Sequence, residues 1–210
     1  MNWRQLSWLW FLLALLIFDQ SLLAQRRDPL QYIEILESAD RVRKLQVERV
    51  VEVLNLKPGE VVADLGAGSG LFTRPIAREV GPSGTVYAID IDSVLLAHIE
   101  ETARREGLNN IETVQANEYD PRIPEEVNLV LICDTLHHID NRPAYLKALR
   151  RYLKPGGRIA IIDLEKNWPP GHDLNKFTVS ELLTWMGDAG FRVDQRFDFL
   201  EDNFFITFRY

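Results

Sequence analysis

The clearest chemistry in the chain is carried by seven consecutive residues, Asp64-Leu-Gly-Ala-Gly-Ser-Gly70. Gly66, Gly68 and Gly70 permit a tight turn and let a ligand lie against the backbone, with only Ala67 and Ser69 between them. The helix expected to follow leaves N–H groups unpaired in its first turn. A dinucleotide fingerprint would place its third glycine at position 71 to cradle a pyrophosphate. Leu71 stands there, and the glycine comes one place early. Asp64, just ahead of the turn, offers a carboxylate to a cationic amino group. A zwitterionic ligand therefore fits better than a pyrophosphate, although a glycine turn alone also occurs as a plain connection.

The second group is Asp90 with Asp92, at the end of Val86-Tyr-Ala-Ile-Asp-Ile-Asp92. A carboxylate about 20 residues beyond the glycine loop can accept both hydroxyls of an adenosine ribose. Asp90 directly ends the apolar run and is the better candidate; Asp92 is suited to cap the next helix. A third group, Asp134, His137 and His138, follows the apolar run 129–133. His172 lies further on, in Trp168-Pro-Pro-Gly-His172, and reads equally as a pocket residue or an exposed loop residue.

The elements that must position these residues follow from periodicity. Strands are expected at 61–65, 85–89, 111–115, 127–133 and 158–163, with helices at 71–80, 93–106 and 142–153 between them. Lys154-Pro-Gly-Gly157 is expected to stop the last of these helices. Continuous apolar strands alternating with amphipathic helices mean a parallel sheet covered on both faces. The end differs: a helix at 179–189 precedes two strands, 191–199 and 204–210, whose short connection makes them an antiparallel hairpin. Helical periodicity also runs over 30–56 and ends at Lys57-Pro-Gly-Glu60. The fold class expected is thus α/β, a Rossmann-like, doubly wound, mostly parallel sheet with a C-terminal hairpin.

The chain has 210 residues, 46% of them hydrophobic, which is enough for one ordinary core. A net charge of −7 disfavours a nucleic-acid partner. The single cysteine, Cys133, excludes an intramolecular disulfide and a multi-cysteine zinc site, and no metal site is expected. Residues 1–24 stand apart. Arg4 gives a weakly positive start, and residues 6–18 are apolar except for Ser7. This is the form of a signal peptide, with an uncleaved membrane anchor as the rival. Export or membrane association is expected, and a cytoplasm-facing domain on an uncleaved anchor is the alternative. The chain then divides into that leader (1–24), a helical cap (25–60) and the main domain (61–210).

Taken in order, the loop 64–70, Asp90, Leu129-Val-Leu-Ile-Cys-Asp-Thr-Leu-His-His-Ile139 and Leu153-Lys-Pro-Gly-Gly-Arg-Ile-Ala-Ile161 resemble class I S-adenosylmethionine-dependent methyltransferases. The likeness covers roughly residues 42–165 and is strongest to the small-molecule branch that includes the ubiquinone/menaquinone C-methyltransferases. It implies the sheet order 3-2-1-4-5-7-6 and S-adenosylmethionine as cofactor, with a small or lipophilic methyl acceptor. Gly66, Gly68 and Gly70 would pass under the methionyl part, Asp90 would hold the ribose, and Asn117 and Glu118 would flank adenine. The family commonly has Gly-Asp where this chain has Ala116-Asn117, so an amide oxygen would replace the acid. For a poorly acidic acceptor, His137 or His138 can serve as general base, oriented by Asp134; such a pair is also kept in this family for structure alone. An NAD(P)-dependent oxidoreductase and a non-catalytic S-adenosylmethionine-binding protein are the competing readings.

Overall fold

The computed structural model describes residues 29–168, 170–172 and 174–210, so the leader at 1–24 lies outside the described residues. Seven strands form one sheet in the order β3-β2-β1-β4-β5-β7-β6. They are β1 (Val61–Leu65), β2 (Thr85–Asp90), β3 (Ile111–Gln115), β4 (Val127–Cys133), β5 (Leu153–Leu164), β6 (Arg192–Phe197) and β7 (Asn203–Arg209). The first five pair in parallel, while β7 is antiparallel to both β5 and β6. This is the expected Rossmann-like sheet with its C-terminal hairpin.

The helices of the described residues are α1 (Pro29–Leu36), α2 (Ala39–Leu45), α3 (Val47–Leu54), α4 (Thr73–Val80), α5 (Ser93–Arg105), α6 (Arg142–Leu149) and α7 (Val179–Asp188). Alternate strand residues feed two cores. Val62, Val86, Leu129, Leu131, Ala160 and Ile162 face a layer built by α3 and α4, through Val50, Leu54, Ile76 and Val80. Ala63, Leu65, Ile89, Val130, Ile132 and Ile161 face α6 and α7, through Leu146, Leu149, Leu182 and Met186. Burial on both faces is why these strands show no polar alternation. Among the described residues no helix is long and apolar enough to cross a membrane.

Three local departures from the expected elements matter. The helical stretch at 30–56 is three helices, broken where Ser38 caps α2 and where Gln46 takes a left-handed conformation (φ 44°). Its last piece, α3, belongs to the sheet-covering layer, whereas Tyr32 and Leu36 of α1 reach the ligand-sized cavity described below. The third departure concerns Lys154-Pro-Gly-Gly157, which lies inside β5; the helix before it ends at Leu149 and continues as a single 3₁₀ turn over Arg150–Tyr152. A register shift between Val127 and Leu129 on the neighbouring β4 lets the strand carry this irregular segment.

Candidate active site

The sheet reverses its winding between β1 and β4, and ligands in doubly wound sheets sit beyond the carboxyl ends of the strands at that point. A cavity of about 680 Å³ opens there. Its wall includes Asp64, Gly66, Ala67, Gly68 and Ser69 from the turn after β1, and Asp90 and Ile91 after β2. Ala116 to Tyr119 contribute beyond β3, and Asp134, Thr135 and His138 beyond β4.

Tight backbone bonding shapes the glycine turn. The N–H groups of Gly66 and Ala67 both donate to the Ile89 carbonyl, at 2.8 and 2.9 Å, and Gly68 N–H donates to Asp90 Oδ2 at 2.9 Å. A Cβ on Gly66 would lie 2.1 Å from Thr135 Oγ1, so glycine is required there for packing as well as for its positive φ of 74°. Gly70 departs from expectation. It is outside the cavity wall, and its missing Cβ makes room for Ile99 of α5, 3.0 Å away, so its part is helix packing.

The carboxylates differ in environment. Asp64 is buried and accepts from the Thr73 hydroxyl at 2.6 Å; burial raises its pKa to about 6, against the pull of that hydrogen bond. Burial also raises Asp90, opposed by the backbone N–H groups of Asp92 and Gly68 that bond its two oxygens. Asp92 caps α5 by accepting from Val94 N–H at 2.8 Å, as its position suggests. Ile91 is 60% exposed and Tyr119 81%, and both offer apolar surface at the cavity rim.

Asn117 and Glu118 both line the cavity, yet the acceptor expected of Asn117 is engaged elsewhere. Its Oδ1 takes the N–H groups of Tyr119 at 2.9 Å and Asp120 at 2.8 Å, an Asx turn that holds the loop's own shape. What Asn117 presents beyond that turn is its amide NH₂.

Asp134 does not orient a histidine. Held at φ 49°, it accepts from Arg41 at 2.7 Å and from Asn203 Nδ2 at 2.7 Å, and so ties the start of α2 to β4 and β7 over the cavity. Burial raises its pKa, and the Arg41 charge opposes the shift. The two histidines part company. His137 is 3% exposed, lies outside the cavity wall, and bonds through Nδ1 to Asp163 Oδ1 at 2.6 Å. His138 is in the wall. Sequence reading missed Arg41, Thr73, Asn203 and Asp163 because each meets its partner across a long stretch of chain or as an unremarkable residue of an element. The one available signal was that Asp163 stands as a lone acid next to the end of an apolar strand.

Known proteins share part of this sequence and its overall fold. Residues 62–157 match the family model described as a methyltransferase domain. The chain is 31% identical over 137 residues to the ubiquinone/menaquinone biosynthesis C-methyltransferase of Burkholderia cenocepacia, covering 64% of this chain and 55% of that protein. It thus spans little more than half the length of the curated relatives it matches. A S-adenosylmethionine-dependent methyltransferase from Aquifex aeolicus has a similar structure, with a TM-score of 0.76 at 28% identity over 87% of this chain and 98% of that one. Aeropyrum pernix fibrillarin, solved with natively bound S-adenosyl-L-methionine, shares the fold at a TM-score of 0.62 and 16% identity over 79% of this chain and 74% of that one. The matched segment is thus similar to a methyltransferase domain, and the structural likeness is to a methyltransferase described as S-adenosylmethionine-dependent.

Proposed function

We propose that the protein transfers the methyl group of S-adenosylmethionine to a small, lipophilic acceptor. The observation that carries this reading is the cavity at the β1/β4 switch point, walled by a glycine turn, a buried carboxylate and a ribose-suited acid. Its residues fit the cofactor. Ser69 Oγ is buried in the wall without a hydrogen-bond partner, as expected of a group kept for a ligand. Asp64 gives a cationic amino group a buried counter-charge. Asp90 accepts backbone N–H groups on both of its oxygens and, with about four acceptor positions in all, retains capacity for ribose hydroxyls. Ile91 and the segment 116–119 supply flat apolar and amide surface for adenine.

When bound, S-adenosylmethionine supplies a methyl group already activated on a sulfonium, so the chain's own residues are left with positioning and proton handling. Tyr32, Leu36, Ile139, Ala144 and Tyr145 make the remaining wall largely apolar, which suits a lipophilic acceptor and excludes water. His138 is the histidine that faces the acceptor side of the cavity; His137 holds the turn through Asp163. A quinol or phenol is the acceptor class favoured by the likeness to the quinone-biosynthesis enzyme.

Calorimetry with S-adenosylhomocysteine, followed by transfer of labelled methyl to a panel of quinols and phenols, tests the proposal. Binding of the cofactor product with methylated product supports it. Tight NAD(P) binding in its place would overturn it, and cofactor binding with no transfer to any acceptor would leave a binding protein.

The leader pattern of residues 1–24 supports a further reading, that the domain is exported or held at a membrane. Cell fractionation with sequencing of the mature N-terminus tests it. A start near Gln25 supports cleavage, membrane-bound protein starting at Met1 supports an anchor, and free cytosolic protein starting at Met1 sinks both.

A further inference from the structure

Behind the acceptor end of the cavity three imidazoles converge. His137 and His138 come from the 3₁₀ turn after β4 (Leu136–His138), and His172 from the loop after β5. Ring centroids are 4.0 Å apart for His137 and His138, 5.5 Å for His137 and His172, and 5.8 Å for His138 and His172. One nitrogen from each lies within 4.8 Å of those from the other two. Imidazoles around a tetrahedral ion, with metal–nitrogen bonds of about 2.0–2.1 Å, hold their nitrogens about 3.3 Å apart. Closing that difference requires rotation of His138, which is exposed, and of His172, which is borne on a loop.

Two observations separate this cluster from a chance stacking of rings. A carboxylate partner assigns the His137 ring proton to Nδ1, which leaves Nε2 as a lone pair. Asp163 is itself buried and fixed by the backbone N–H groups of His137 and Leu164, the usual support behind a metal-bound histidine. The second is that His172 Nδ1 is buried without a hydrogen-bond partner, which is unfavourable unless something else occupies it. We propose that His137, His138 and His172 bind one divalent transition-metal ion of the zinc class.

The ligand chemistry sets the ion. Three neutral imidazoles suit zinc, cobalt, nickel or copper and are poor ligands for magnesium or calcium, which require oxygen. Three protein ligands leave a fourth position, the pattern of a site that receives a further ligand. His138 lies in the cavity wall while His137 does not, so that position lies on the cavity side. There it would take an oxygen or sulfur donor of the acceptor, holding it as an anion once its proton has left to solvent. This role at the cavity rests on the proposed methyl transfer; metal binding itself does not.

The test uses the full chain, stripped of metal, titrated with zinc by calorimetry and with cobalt by visible absorption. One equivalent of zinc and the intense visible bands of four-coordinate cobalt are expected. His172→Ala should weaken zinc at least tenfold with S-adenosylhomocysteine binding unchanged, since His172 lies outside the cofactor wall. Asp163→Asn should weaken zinc about 10–100-fold, the range for partners behind a ligand. Because Asp163 is buried, His172→Gln provides a second variant whose folding is not at issue. Zinc that fails to bind, or that binds His172→Ala as tightly as the wild type, overturns the metal site. Retained S-adenosylhomocysteine binding in that case shows that the cofactor reading stands without it.

Discussion

Asp90 Oδ2 accepts from Gly68 N–H at 2.9 Å, so the residue proposed to hold the ribose also fastens the glycine turn to the end of β2. Asp90→Ala is therefore expected to weaken S-adenosylhomocysteine binding by about 1.5–3 kcal/mol, the range for hydrogen bonds to a charged group. Asp92→Ala should leave cofactor affinity nearly intact and instead lose about 0.5–2 kcal/mol of fold stability with its cap. Calorimetry and urea unfolding on both variants check the split, and a reversed ranking would move the ribose site to Asp92.

Gly68 and Gly66 separate ligand space from packing space. A Cβ at 68 would stand 3.1 Å from Leu36 Cδ1, a flexible side-chain end, at a backbone φ of 57°. Gly68→Val should keep the fold, at a strain of about 1–3 kcal/mol, and abolish cofactor binding. Gly66→Ala collides with Thr135 at 2.1 Å and should lose folded protein itself. Circular dichroism beside calorimetry distinguishes the two, and unchanged affinity in Gly68→Val would refute the assignment of the turn.

The pH dependence follows from Asp64. Burial raises its pKa from 3.8 to about 6 in the ligand-free fold, so the carboxyl is neutral below about pH 6 and ionised above it. Its contribution to stability is complete below about pH 4 and is lost as pH rises through about 6. A cationic ligand requires the ionised form. Affinity for S-adenosylmethionine should accordingly be flat above about pH 6 and fall below it, by up to about tenfold per pH unit, as one proton must be released. Asp64→Asn should bind more weakly and lose that slope. A wild-type affinity that does not change between about pH 5 and 7 would remove Asp64 from the ligand's first contacts.

For the adjacent histidines, opposite outcomes are expected. His138→Ala should lower turnover with little change in cofactor affinity, because His138 stands on the acceptor side of the wall. His137→Ala leaves Asp163 buried without its ring partner and should cost about 1–3 kcal/mol of stability. Equal activity of His138→Ala and wild type would assign both residues to structure.

How far the sequence reaches can be read from these residues. The order of strands and helices, the turn at 64–70, the place of Asp90 and the C-terminal hairpin are local patterns: runs buried on both faces, glycines where φ is positive, and an acid closing a strand. Such patterns need only neighbours in the chain, and they carried the fold class and the glycine turn and acid that line one side of the cavity. Partnerships across the chain were out of reach. Arg41 reaches Asp134 over 93 positions, and Gly70 yields its space to Ile99 of a later helix. Adjacency itself misleads at 137 and 138. Successive residues of a 3₁₀ turn point about 120° apart, so one histidine enters the core to meet Asp163 while the next faces the cavity. Only the packing of β5 beside β4 decided which was which, and only the loop after β5 brought His172 to join them.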